Sequence, residues 1–410
     1  AQAQNFGPAE LAEAVTFAHA HNVKVYLTVN VYAQEPHLPA LRQLLPQAAD
    51  LGVDAFIIAD PGIFRLAAQL APGVPRHIST QAASSNSEAA RFWHEQGASR
   101  VVLAREVSLQ DCGRIARAVP VELEIFIHGA VCMAYSGRCL LSSFLTGRSG
   151  ILGDCAQPCR WQYRLEEAKR PGQYMPVEED RWGSYIFNSK DLRLLELLPE
   201  VLAAGPASLK IEGRMKSAYY VANITRVYRQ ALDACWQAYE QACAQLAPGE
   251  EPTAEQIRAL WQWDDEWAAE LEKLSQRQYF TGFALADAAD LSLPTQNAPG
   301  PEAYDYENSY SQRNWDFAGL VLGWDAEQQR LHIEQRNHLQ LGDELELIQP
   351  QGPLRPLKII WDEQGQARQT LPHAREHAWL ACPFAMPAGS ILRRRQRPVQ
   401  TAEAEVKADE

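Results

Sequence analysis

Four cysteines carry the first chemical signal: Cys132, Cys139, Cys155 and Cys159, half of the eight in the chain, with six, fifteen and three residues between successive members. Gly137, Gly147, Gly150, Gly153 and Pro158 punctuate the run, so the backbone can turn sharply enough to aim several thiolates at one centre. Spacing alone leaves three readings open: an iron–sulfur cluster, a structural zinc, or buried and redox-active thiols. Cys112, Cys235, Cys243 and Cys382 stand apart in helical or β-rich patterns and read as small packed hydrophobes.

A second set of reactive residue types falls at the ends of apolar, strand-like runs. These are Asn30, Asp60, Gln81, Arg105, Glu106, His128, Lys210, Glu212 and Arg214. Alternate strand residues share a face, so Lys210 and Glu212 point the same way. From this set His128, Lys210, Glu212, Arg214, Asp60 and Gln81 are the candidate catalytic residues, with an ordinary ion pair closing a barrel end as the competing explanation. His373-Ala374-Arg375-Glu376-His377 matches a His-x-x-Glu-His zinc-peptidase pattern, but it follows Pro372 among β-like runs, where its histidines would not share a helical face.

The elements that position these groups alternate. Helix-like periodicity over Pro8–His21, Leu38–Leu51, Gly62–Leu70, Ser87–Gly97 and Ser108–Ala118 is followed by strands Lys24–Asn30, Ala55–Asp60, Arg76–Ala82, Arg100–Arg105 and Val121–Gly129. After the cysteine excursion, the helix Lys190–Ala204 precedes the strand Ser208–Glu212; a helix from about Lys216 to Leu246 and a helical region Thr253–Gln276 follow. Tyr185–Asn188 is an ambiguous strand. Such alternation means a parallel sheet, and polar residues gathered at one end of the strands fit the active rim of a (β/α)8 barrel. No glycine-rich nucleotide loop follows any strand, which weakens an open doubly wound fold. The expected organisation is a TIM-barrel-like catalytic domain over 1–285 that lacks its first units, with the cysteine excursion at 130–183. A linker over 286–314, a small antiparallel β-barrel over 315–398 and a disordered tail over 399–410 complete it.

The 410 residues carry a formal charge of −13, which argues against nucleic-acid affinity through bulk electrostatics and leaves local basic patches open, among them Arg138, Arg148, Arg160, Lys169, Arg170, Lys190, Arg214 and Lys216, and the run Arg393-Arg394-Arg395. The apolar runs are strand length, no signal peptide is evident, and the cysteine usage fits the cytoplasm.

The segment Glu124-x-Phe126-x-x-Gly129-Ala130-Val131-Cys132, continued by Gly137-x-Cys139-x-Leu141-Ser142, resembles the signature of the collagenase-like peptidase family, peptidase family U32. The likeness runs on through Cys155-Ala156-Gln157-Pro158-Cys159-Arg160-Trp161, Asn188-Ser189-Lys190-Asp191-Leu192 and Lys210-Ile211-Glu212-Gly213-Arg214. Within that family the chain is most similar to the branch that converts wobble uridine of tRNA to 5-hydroxyuridine. The resemblance implies a TIM-barrel-like domain, an iron–sulfur cluster (4Fe–4S) on Cys132, Cys139, Cys155 and Cys159, and oxygen-independent hydroxylation with prephenate as the co-substrate. It implies tRNA and a small anion as partners, and it implies about two further βα units ahead of Ala1. A collagenase-like peptidase and a non-catalytic RNA-binding protein with structural zinc are the alternatives; the sequence supplies no recognisable peptidase engine.

Overall fold

The computed structural model describes residues 6–132, 136, 139–150, 152, 154–158, 190–285, 315–348, 358 and 360–396, and the backbone of four short strand pieces within 165–184 and one at 355–356. Tyr185–Asn188, Cys159, the linker 286–314 and the tail 399–410 lie outside the described residues. Contacts divide the chain into two units. The first comprises 1–216, 229–264 and 277–310; the second comprises 217–228, 265–276 and 311–410.

The first unit is built on a parallel sheet. Strands β1 (Tyr26–Val29), β2 (Ala55–Ile58), β3 (Arg76–Ile78), β4 (Arg100–Val102) and β5 (Glu122–Ala130) pair in sequence order, and the strand Ser208–Ile211 continues the parallel ladder on β5. Helices α1 (Pro8–Ala20), α2 (Leu38–Asp50), α3 (Pro61–Leu70), α4 (Ser87–Glu95) and α5 (Leu109–Ala118) alternate with them. Local chemistry starts three of these helices where the strands stop: Asp60, Asn86 and Ser108 each accept backbone N–H groups as N-caps of α3, α4 and α5. A parallel sheet must bury both faces, and all four residues of β2 are buried.

Register separates two faces. Leu27, Phe56, Ile58, Ile78, Val101, Leu123, Ile125 and Ile127 alternate onto one, which is apolar apart from Arg76 at the start of β3; His77, Arg100, Glu122, Glu124, Phe126, His128 and, across the ladder, Ser208 and Lys210 share the other. The second face therefore carries the charge.

β5 is the hub. At nine residues it outlasts β4, and His128 is in register with Ile211 on one edge and with Arg193 of an antiparallel strand, Asp191–Arg193, on the other. That strand corrects the expectation of a helix from Lys190. The residues Asp191–Arg193 are extended, a short 3-10 turn follows at Leu195–Leu197, and the helix Leu198–Ala204 comes only after it, with Pro199 in its first turn. The extended stretch is fixed by tertiary pairing: the Asp191 carboxylate, 1% exposed, accepts from the Arg277 guanidinium at 2.6 Å, and its backbone joins the strand Tyr279–Phe280. The helical region expected over Thr253–Gln276 is two helices, Ala254–Leu260 and Asp265–Glu272.

The second unit holds an antiparallel sheet of eight strands, whose central order is Glu344–Ile348, Ile391–Arg395, Trp315–Asp325, Arg330–Gln335, His377–Ala381 and Ile360–Trp361. Its core is Ala318, Val321, Leu331, Ile333, Leu345, Ile360, Leu380 and Leu392. Here the arginine run departs from the expectation of a phosphate contact. Arg393 and Arg394 are 2% and 6% exposed; Arg393 bonds Glu270 and Glu346, and Arg394 bonds Asp316 at 2.5 Å. Burial opposes ionisation of Glu270, yet Arg393 and Lys273 outweigh it and hold that carboxyl at about 2.

Candidate functional site

Lys210 does not pair with Glu212. Its Nζ lies 2.6 Å from Oε1 of Glu124, a residue 4% exposed in the middle of β5. The other oxygen, Oε2, accepts from Ser208 Oγ at 2.8 Å and from Arg100 at 3.2 Å. Burial alone would raise the Glu124 pKa, but Lys210, Ser208 and Arg100 reverse the direction and keep it below the usual range. His77, on the same face, is held down to about 4 by burial and by the Arg100 charge, so it is neutral at pH 7. Glu124, His77 and Arg100 are therefore members of the charged face that sequence reasoning did not single out. The signal was present as Glu122-x-Glu124-x-Phe126-x-His128, a period of two that puts three polar groups on one side of a strand.

His128 occupies the last paired turn of that face. It is 1% exposed, and burial pushes its pKa down to about 3, with Arg193 and Lys216 adding to the effect and Asp191 opposing it. Its ring lies 5.3 Å from the Tyr279 ring, which in turn carries the Arg193 guanidinium at 4.6 Å. The imidazole is neutral throughout the physiological range and offers one hydrogen-bond donor and one acceptor nitrogen.

The backbone next to it is shaped for close approach. Gly129 has φ of +106°, and a Cβ there would lie 2.5 Å from the carbonyl oxygen of Glu212, so only glycine allows the segment after Ser208–Ile211 to lie against β5. The Glu212 amide donates to the His128 carbonyl at 2.9 Å. Its side chain accepts from the Arg214 amide at 3.0 Å and lies 3.8 Å from Arg105, whose guanidinium stacks 4.0 Å from the Phe126 ring centroid. His128, Glu212, Arg105 and Phe126 thus come together at the C-terminal end of β5, with Lys210 one step below on Glu124. Arg214 is exposed at its border.

Asp60 and Gln81 stand at the ends of β2 and β3. The Asp60 carboxylate is engaged as the α3 cap, accepting from Gly62 and Ile63 at 2.7 and 3.0 Å. Gln81 accepts at its carbonyl from the Tyr32 hydroxyl at 2.7 Å, while its Oε1 is buried with no hydrogen-bond partner among the described residues.

The thiol-bearing excursion leaves directly from this cluster. Cys132 follows β5 by two residues and is exposed; Cys139 precedes α6 (Leu141–Thr146), and Cys139 and Cys155 are half-buried. Two side chains fasten the excursion. Glu106, after β4, accepts from both the amide and the hydroxyl of Ser136 at 3.0 Å, midway between Cys132 and Cys139. Ser142 on α6 accepts from the Ala156 amide at 2.9 Å and so ties Cys139 to Cys155. The Cys155 sulfur accepts from the Gln157 amide at 3.3 Å. Cys112 and Cys235 are different: burial pushes both thiols up to about 12, which leaves them protonated and inert.

Among the described residues no helix is long and apolar enough to cross a membrane. The family model for peptidase family U32 matches residues 1–293, and that for the peptidase family U32 C-terminal domain matches residues 313–393. The chain is 36% identical over 374 residues to tRNA hydroxylation protein P1 of Bacillus subtilis, which covers 90% of this chain and 81% of the relative. It is 33% identical to tRNA hydroxylation protein P of Escherichia coli, covering 92% and 85%. A 23S rRNA 5-hydroxycytidine synthase of Escherichia coli is 39% identical over 225 residues, 55% of this chain and 33% of that one. With both family models matched in chain order and long relatives above 30% identity, this chain belongs to peptidase family U32.

Proposed function

We propose that the protein is a tRNA-hydroxylating enzyme that converts wobble uridine to 5-hydroxyuridine without oxygen. The observation that carries this reading is a cysteine excursion fastened by Glu106 and Ser142 beside a neutral, buried His128, in a chain whose long relatives are named for tRNA hydroxylation. The charged face of the parallel sheet is taken as the inner wall of a TIM-like barrel, and the C-terminal strand ends as its mouth. Cys132, Cys139, Cys155 and Cys159 would hold an iron–sulfur cluster; the donor set fits, because thiolates on a turn-rich, partly exposed segment are what such a cluster requires. When bound, the cluster supplies one-electron chemistry.

The remaining work falls to side chains. Arg105 and Arg214 give a small dianion such as prephenate two guanidinium contacts at the mouth. Glu212 orients Arg105. His128 holds or moves a proton at its ring nitrogen, and Lys210 neutralises the buried Glu124 carboxylate in the wall below it. A uridine reaches this depth only when unstacked, as an anticodon-loop nucleotide can be.

The test is nucleoside analysis of tRNA from a strain lacking the activity. Wild-type chain restores 5-hydroxyuridine and, purified without oxygen, contains iron and sulfide; Cys132→Ser and Cys155→Ser restore neither. Full restoration by the cysteine variants would overturn the proposal.

A further inference from the structure

His377 ends the His-x-x-Glu-His pattern, but the pattern is not a helix. Residues His373 to Glu376 form a turn in which the Glu376 carboxylate accepts from the His373 amide at 3.0 Å, and Arg375 adopts φ of +67°. His377 instead opens the strand His377–Ala381, where it meets residues remote in sequence. In the antiparallel register Glu334 faces His377 and His332 faces Trp379, so His332, Glu334, His377 and Trp379 share one face of two neighbouring strands. Glu363 arrives from the turn just after Ile360–Trp361, the next strand over.

The ligand atoms of His332, Glu363 and His377 all lie within 4.8 Å of one another. His377 Nδ1 is 3.2 Å from Glu363 Oε1, and the two imidazole rings are 5.2 Å apart and nearly perpendicular. Stacking fixes the His332 ring flat on Trp379 at 4.6 Å, and Arg330 lies 4.2 Å over the same indole. Glu334 Oε2 is 4.0 Å from His377 Nε2, the ring nitrogen turned away from Glu363, where a carboxylate orients the imidazole.

We propose that His332, His377 and Glu363 form a binding site for one divalent transition-metal ion, with zinc as the natural occupant. Two imidazoles and one carboxylate, with a fourth position left for water, are a donor set that suits zinc and its first-row neighbours. Metal–ligand bonds of about 2.0 Å in a tetrahedron place ligand atoms about 3.3 Å apart, so closure asks for a contraction of under about 1.5 Å. Glu363, 56% exposed on a turn, has the freedom to make it.

The experiment uses the full chain, stripped with EDTA and titrated with zinc chloride, in a background with serine at positions 132, 139, 155 and 159 so that the thiols do not compete. One equivalent binds, His377→Ala abolishes binding, and the exposed Glu363→Gln weakens it at least tenfold with an unchanged circular dichroism spectrum. Cobalt added to the wild-type chain provides a readout that needs no cysteine substitution: visible bands from a nitrogen and oxygen site, distinct from thiolate charge-transfer absorption, appear and are lost in His332→Ala. Zinc binding unaffected by His377→Ala and Glu363→Gln, or cobalt bands unaffected by His332→Ala, would overturn the site.

Discussion

Glu122 and Glu124 lie two residues apart on the same face of β5, and both bond Arg100. Their side chains differ in exposure, 54% against 5%, and that difference should decide what each is worth. Glu124→Gln leaves Lys210 and Arg100 facing a neutral amide beside His77. Removing one member of a fully buried pair costs about 3–5 kcal/mol, and because Lys210 is 29% exposed and can recover some hydration, we expect about 2–4 kcal/mol. Glu122→Gln, at a solvated pair, should cost under about 1 kcal/mol. Urea unfolding followed by circular dichroism reads both. Adding Lys210→Met to Glu124→Gln removes the stranded charge, so the double variant should recover at least about 1.5 kcal/mol relative to additivity. Equal losses for the two glutamates, or strictly additive Glu124 and Lys210 effects, would refute the assignment of Glu124 as the buried anchor of this face.

Three further outcomes follow from the same geometry. His77 and His128 resist protonation in the folded chain, at about 4 and about 3, against about 6.5 when unfolded; their contribution is complete above pH 6.5 and falls by up to about 1.4 kcal/mol per unit for each as the pH drops toward those values. His77→Phe should flatten the unfolding free energy between pH 6.5 and 4, and superimposable profiles would contradict this. Gly129→Ala meets both a positive φ and the Glu212 carbonyl, and should lower stability by about 2–4 kcal/mol while displacing the start of the cysteine excursion; thermal melting and iron content per chain report the two effects. Glu106→Gln keeps the shape but weakens the grip on Ser136, so for the cluster proposed above iron retention during gel filtration should drop severalfold, whereas Cys112→Ser, at a buried thiol outside the excursion, should match the wild-type chain.

The alternation of helices and strands was legible because each element carries its own period, and three of the helices are started by a local side-chain cap. Asp60, Asn86 and Ser108 begin helices through contacts two or three residues away, which a sequence displays directly. Asp191–Arg193 was not legible: its extended form depends on Arg277, 86 residues distant, and on the free edge of β5. The site divides in the same manner. His128, Glu212 and Lys210 were visible as polar ends of apolar runs, but the partner of Lys210 lay in the strand interior, hidden by the apolar residues that flank Glu124. Arg393 and Arg394 misled because a cationic run looks solvent-facing until its acids arrive from Glu270, Glu346, Asp316 and Asp343.

β5 is gripped on both edges near its end: the Leu194 amide bonds the carbonyl of Ile127, and the Glu212 amide bonds that of His128. Deuterium exchange should therefore be slow at the Leu194 and Glu212 amides, which donate to those carbonyls. The imidazole is thereby held from two sides by segments that reach it from far along the chain.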